Sequence, residues 1–195
     1  MTLRPDLRII AEAVPAGSRV LDVGCGDGAL MAALRDGKGV DARGIELSRD
    51  GVSAAVARGL SVVQGDADTD LVDYPAGAFD YAILSQTLQA TRAPDRVLDE
   101  LLRIGRHAIV SFPNFAYWRV RMSLMFGGRM PVTNALPVSW YATENIHFCT
   151  VDDFRALIAE KGLTVERERF LTHGRLRNAT LANLLAEQAI FVLRR

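Results

Sequence analysis

Residues 20–28 read Val-Leu-Asp-Val-Gly-Cys-Gly-Asp-Gly, a short apolar run leading straight into three glycines at alternate positions, 24, 26 and 28. No other stretch restricts the fold as strongly. Glycines at that spacing let a strand turn sharply into a helix while the backbone approaches a ligand that a side chain would exclude. The predicted helix runs from Ala29 towards Arg35, so the chain opens with a strand, loop and helix of the α/β kind. Gly24, Gly26 and Ala29 also satisfy the permissive dinucleotide fingerprint, so spacing alone leaves the ligand open.

Charge narrows the choice. A pyrophosphate seeks the free amides at a helix start, where Asp27 places a like charge. A ligand carrying an ammonium and a sulfonium, as S-adenosylmethionine does, is instead attracted by Asp22 at the strand end and Asp27 in the loop. A second acid, Glu46, closes the next apolar run and is placed to accept from ribose hydroxyls, which fits either type of cofactor. A third, Asp66, follows the run 60–64 in Gly65-Asp66-Ala67-Asp68 and could accept from an adenine amine; alone this segment also reads as a polar surface loop.

The ordered set of residues 22–28, Glu46 and Asp66 resembles the class I S-adenosylmethionine-dependent methyltransferases. That resemblance implies that Asp22, Gly24, Cys25, Gly26, Asp27 and Gly28 hold the aminocarboxypropyl part, Glu46 the ribose, and Asp66 with Ala67 the adenine, with Leu47 a further cofactor-binding candidate. Ser85 joins this set at the end of the fourth strand. Three longer strings, residues 79–89 (FDYAILSQTLQ), 111–118 (SFPNFAYW) and 145–150 (NIHFCT), are similar to stretches of the MetW family of methionine biosynthesis proteins. Membership would imply an S-adenosylmethionine-binding accessory or regulatory partner of the homoserine O-acyltransferase MetX. An active methyltransferase on a small cytoplasmic acceptor is the alternative.

Apolar runs at 19–23, 40–46, 60–64, 81–84 and 107–112 have the length of strands buried on both faces, separated by helical segments. Ser48 is a candidate N-cap, Pro94 a helix-starting proline, and Thr150 or Asp152 begins a helix that stops at Gly162. Strands at 163–170 and 188–193 follow without room for a full crossover. The expectation is a Rossmann-like, doubly wound, seven-stranded sheet, mostly parallel with one antiparallel strand near the C-terminus. The 195 residues, 49% of them hydrophobic, suit a single domain, 1–195.

Between the fifth strand and the next helix lies an insert at about 114–145, long for a connection and rich in methionine and aromatic residues. Its Tyr117, Trp118, Trp140 and Tyr141, with Asn114, are candidates for contacting substrate or partner, though they also suit ordinary packing. Gln86 and Gln89, like Asn114, follow strands whose ends should overlook a cofactor, and His147, after a polar stretch before a helix, is the other candidate. No catalytic base is assigned, because methyl transfer can rest on proximity and orientation. Lys plus Arg equals Asp plus Glu at 23 each, so no overall field recruits nucleic acid or anionic membrane. Cys25 and Cys149 lack metal-ligand spacing, and the N-terminal residues alternate charge with apolar groups; a cytoplasmic protein without metal is expected.

Overall fold

The computed structural model describes residues 3–133 and 135–195. Helices α1 (Pro5–Ala13), α2 (Ala29–Lys38), α3 (Arg49–Ala57), α4 (Pro94–Ile104), α5 (Trp118–Gly127), α6 (Val151–Glu160) and α7 (Ala182–Leu185) surround one sheet. The strands are β1 (Arg19–Val23), β2 (Asp41–Glu46), β3 (Ser61–Gln64), β4 (Phe79–Ser85), β5 (Gly105–Pro113), β6 (Thr164–Thr172), β7 (Arg175–Arg177) and β8 (Gln188–Arg194). Their order across the sheet is β3-β2-β1-β4-β5-β8-β6-β7.

The first five strands pair in parallel, whereas β5–β8, β8–β6 and β6–β7 are antiparallel. The sheet therefore has eight strands where seven are expected, and both β8 and β7 run against the parallel set. The extra strand is a hairpin return: His173 and Gly174 both have positive φ, which reverses the chain and lets the exposed Arg175–Arg177 pair with the end of β6.

Strand alternation sorts the core onto two faces. Leu21, Val23, Leu84, Val110 and Phe112 pack with α4 and α6 in one cluster, where Phe112, Phe154 and Phe191 meet at centroid distances of 4.8–6.0 Å. Val20, Ile83 and Ile109 face the other way, against Leu7 and Ile10 of α1 and Leu34 of α2. The caps read from sequence are formed: Ser48 accepts from the Gly51 amide, Thr150 accepts from Asp153, and Pro94 begins α4.

One expected crossover helix is missing. Between β3 and β4 the chain forms only a three-residue 3-10 turn, Leu71–Asp73. The carboxylates there bond to nearby amides instead of leaving them to a helix: Asp66 Oδ1 accepts from Asp68 N at 2.9 Å and Asp70 Oδ2 from Asp66 N at 2.9 Å.

Candidate functional site

The carboxyl ends of β1, β2 and β4 converge on the glycine loop, the position where open α/β sheets hold ligands. Gly24, Gly26 and Gly28 have φ of 69°, 56° and 74°, the left-handed region. Close approach adds to that demand at two of them. A Cβ at Gly24 would lie 2.6 Å from Thr87 Oγ1, and one at Gly28 would lie 2.3 Å from Leu60 Cδ1 and 3.2 Å from Ala55 Cβ.

Glu46 locks the loop from the adjacent strand. Its Oε2 accepts from the Gly26 amide at 2.7 Å and its Oε1 from the Ser48 amide at 2.8 Å. Each oxygen retains one further acceptor direction, so the carboxylate can position the loop and still receive hydroxyl donors.

Asp22 shares the Val20 face of β1 and is buried beneath α1. Burial, reinforced by the negative charge of Glu46 and opposed by Arg4, pushes its carboxyl up to about 7. Desolvation and Glu46 both favour a cationic group beside it, since a ligand cation would restore the ionised form.

Asp27 behaves otherwise. Its Oδ1 accepts from the Ala29 amide at 3.1 Å, capping α2, and its Oδ2 pairs with Arg58 at 2.7 Å. Its charge is thus countered from α3, and the attraction for a cation rests on Asp22 and Glu46.

Two cavities meet over Gly24 and Thr87. One, of about 650 Å³, is lined by Asp22, residues 24–27, Ser85 and Gln86 and is roofed by Leu3, Arg4 and Leu7. The other, of about 640 Å³, is lined by Glu46, Leu47, Asp66, Ala67, Thr91 and Ile146. Every cofactor residue read from the sequence except Gly28 lines one or the other; Gly28 instead lets α2 start against Ala55 and Leu60. A buried carboxyl that a cation would ionise in one chamber and a double-acceptor carboxylate in the next fit a ligand with a cationic tail and a ribose.

Thr87, Arg4 and Ile146 were not legible as site residues. Thr87 is placed by β4, with its hydroxyl on the Ser85 carbonyl at 3.0 Å. Arg4 and Ile146 arrive from segments distant in sequence, with no motif to mark them.

The remaining candidates separate. Asn114 is buried and engaged, donating to the Asn183 and Ala186 carbonyls and accepting from Ala116 N and Val151 N. It ties β5 to α6 and α7. Tyr117 is buried in a small cluster with Val120 and Leu136, whereas Trp118, Trp140 and Tyr141 are exposed. His147 lies in a small cavity with Leu88, Pro94 and Cys149, away from Asp22, and its Nε2 is buried without a partner among the described residues. Gln86 and Gln89 stand at the mouth of β4.

Burial lifts both thiols to about 12, with Asp22 and Glu46 adding to the effect at Cys25 and Asp153 at Cys149. Alkylation at about pH 8 should therefore leave both cysteines unmodified in the native protein and label both after unfolding. Labelling of native Cys25 by mass spectrometry would contradict this burial.

The sequence model of the family described as methionine biosynthesis protein MetW matches residues 4–193. A bifunctional methionine biosynthesis protein MetXA/MetW of Rhodopirellula baltica is 38% identical over 179 residues, which is 87% of this chain but 29% of that protein. The chain thus spans under a third of that relative's length. Among solved structures, an S-adenosylmethionine-dependent methyltransferase from Archaeoglobus fulgidus superposes with TM-score 0.72 at 14% identity, covering 97% of this chain and 91% of that one. Another from Mesorhizobium loti gives 0.71 at 19% identity, covering 98% and 96%. At these identities the structures show a shared fold.

Proposed function

Because the chain belongs to the MetW family of methionine biosynthesis proteins, we propose that it is an S-adenosylmethionine-binding accessory subunit that regulates a homoserine O-acyltransferase of the MetX type. The observation that carries this reading is the Rhodopirellula baltica protein, whose name joins MetXA and MetW functions in one chain. Where two activities share a chain in one organism, separate chains in another are candidates for association. The twin cavities supply the sensing half: Asp22 would hold the ammonium end of the ligand, Glu46 its ribose, and Asp66 with Ala67 its base.

The insert supports the docking half. Tyr117, just before helix α5, and Val120 within it turn inward, yet the outer side of the helix carries Trp118, Met122, Met125 and Phe126, with Met125 and Phe126 76% and 72% exposed. A helix apolar on both sides is normally covered on both sides. Residues 115–143 hold three arginines and no carboxylate, so the cover expected is an apolar protein face with an acidic rim.

The test is the initial velocity of a cognate homoserine acyltransferase with and without equimolar chain, at zero and saturating S-adenosylmethionine. A velocity that changes with the chain, and changes again with the ligand, is the expected result; identical velocities in all four conditions would end the accessory reading. Phe126→Ala and Trp140→Ala should each weaken the complex by about 10- to 100-fold if they are anchors. Their side chains are exposed, so the fold should tolerate both changes.

A further inference from the structure

A third cavity, of about 720 Å³, adjoins the glycine-loop chamber and shares Arg4 and Gln86 with it. Its walls are the start of α1, residues 135–145, the turn after β6 and the start of β8. Nothing in the cofactor reading uses it.

Among the described residues, two buried amide atoms of side chains lining this cavity have no partner, Nε2 of Gln86 and Oε1 of Gln89. Gln89 is only 4% exposed, and its orientation is set by donation from Nε2 to the Gln86 carbonyl at 2.7 Å, which leaves the oxygen as the unmatched end. A buried polar atom without a partner is destabilising, because it has lost its bonds to water and gained none in return. Gln86 also holds φ at 57°, a left-handed conformation unusual for a residue with a side chain. An unmatched donor, an unmatched acceptor and a strained backbone at one cavity mouth together point to a ligand that completes the bonding. Both atoms are closed off from water in this conformation, so entry must turn the amide ends outward.

The charges around the cavity say what that ligand carries. Asp6 and Glu187 are buried carboxylates, and Glu144 stands nearby on the exposed segment. Arg4 pairs with Asp6 at 3.1 Å, and the His173 amide donates to Glu187 at 2.8 Å with its Nδ1 at 3.4 Å. Glu187, Glu144 and the Gln89 oxygen call for a cationic donor, while the Gln86 amide and the Arg4 donors that Asp6 does not use call for an oxygen acceptor.

We propose that this cavity binds a free amino acid, a small molecule with a protonated amine and a carboxylate, beside the cofactor chamber. The site goes beyond the accessory reading and stands whether or not an acyltransferase docks.

The test uses the full chain with saturating S-adenosylmethionine and a panel of free amino acids including homoserine. Thermal shift identifies the tightest binder, and calorimetry then compares it with its analogue lacking the amine and its analogue lacking the carboxylate. Both analogues should bind at least about tenfold more weakly, the loss expected for a hydrogen bond to a charged group. Gln89→Leu should weaken the amino acid by about tenfold while cofactor affinity stays unchanged. The exposed Glu144→Lys, which cannot disturb the core, should weaken it a few-fold. Absence of binding by every amino acid, or equal affinity for the amine-free analogue, would overturn the proposal. So would a folded Gln89→Leu protein with wild-type affinity.

Discussion

Replacing Asp22 with asparagine should weaken S-adenosylmethionine binding by about 10- to 100-fold, because it removes a charged partner of the ligand's cation. The same substitution should make the ligand-free protein more stable at neutral pH. In the folded chain burial raises this carboxyl from its ordinary value of 3.8 to about 7. Below about pH 4 both folded and unfolded forms carry the proton, and the burial costs little. Between about pH 4 and 7 the unfolded chain has released its proton while the native chain holds it, so stability falls as pH rises and then levels off. The full difference is on the order of 4 kcal/mol. Asparagine cannot ionise, so its unfolding free energy should lose this slope and exceed wild type by about 2–4 kcal/mol near pH 8.

Ligand binding runs in the opposite sense. A cation beside Asp22 favours the carboxylate, so wild-type affinity should decline as pH falls through about 7, and binding at about pH 6 should release a proton. Calorimetry in two buffers of different ionisation enthalpy reads that proton directly. An Asp22→Asn protein with wild-type affinity and an unaltered pH profile would remove Asp22 from the site.

Gly24→Val should have the other large effect, abolishing cofactor binding and destabilising the fold by about 2–4 kcal/mol. Its φ of 69° is hostile to a β-branched side chain, and the new Cβ would lie 2.6 Å from Thr87 Oγ1. Gly24 also lies where the two chambers join, so a side chain there occupies the space the ligand needs. Gly26→Ala is the internal control. It has a similar φ of 56° but nothing within 4 Å of the added carbon, so only the backbone cost of about 1 kcal/mol is expected. Chemical denaturation separates the two variants; equal losses would mean that crowding at Thr87 is unimportant.

The residues that distinguish these variants divide according to how local their physics is. The turn at residues 24–28, the caps at Ser48 and Thr150 and the apolar strands 19–23 and 107–112 act within a few positions of themselves. Their sequence alone announces a strand, loop and helix, then a parallel sheet with its ligand end at the glycines. Asp22, Glu46 and Asp66 were legible for the same reason, since each sits within, at the end of or just after an apolar run.

What the chain does with those groups required the tertiary structure. Asp27 looked like a ligand-facing charge until α3 brought Arg58 against it, and Asn114 looked like a candidate contact until its side chain was engaged by Ala116, by Val151 at the start of α6 and by the α7 segment. Thr87, Arg4 and the unmatched amides of Gln86 and Gln89 acquire meaning only from partners, or missing partners, far away in the chain. The eighth strand arises from a short hairpin too exposed to leave an apolar pattern. The sequence by itself determined the sheet's direction and where its ligand end lies, because strand periodicity and glycine torsions are local. Only the tertiary structure decided which carboxylates stay unpaired there and which cavities they line, because burial and pairing depend on segments that only folding brings together.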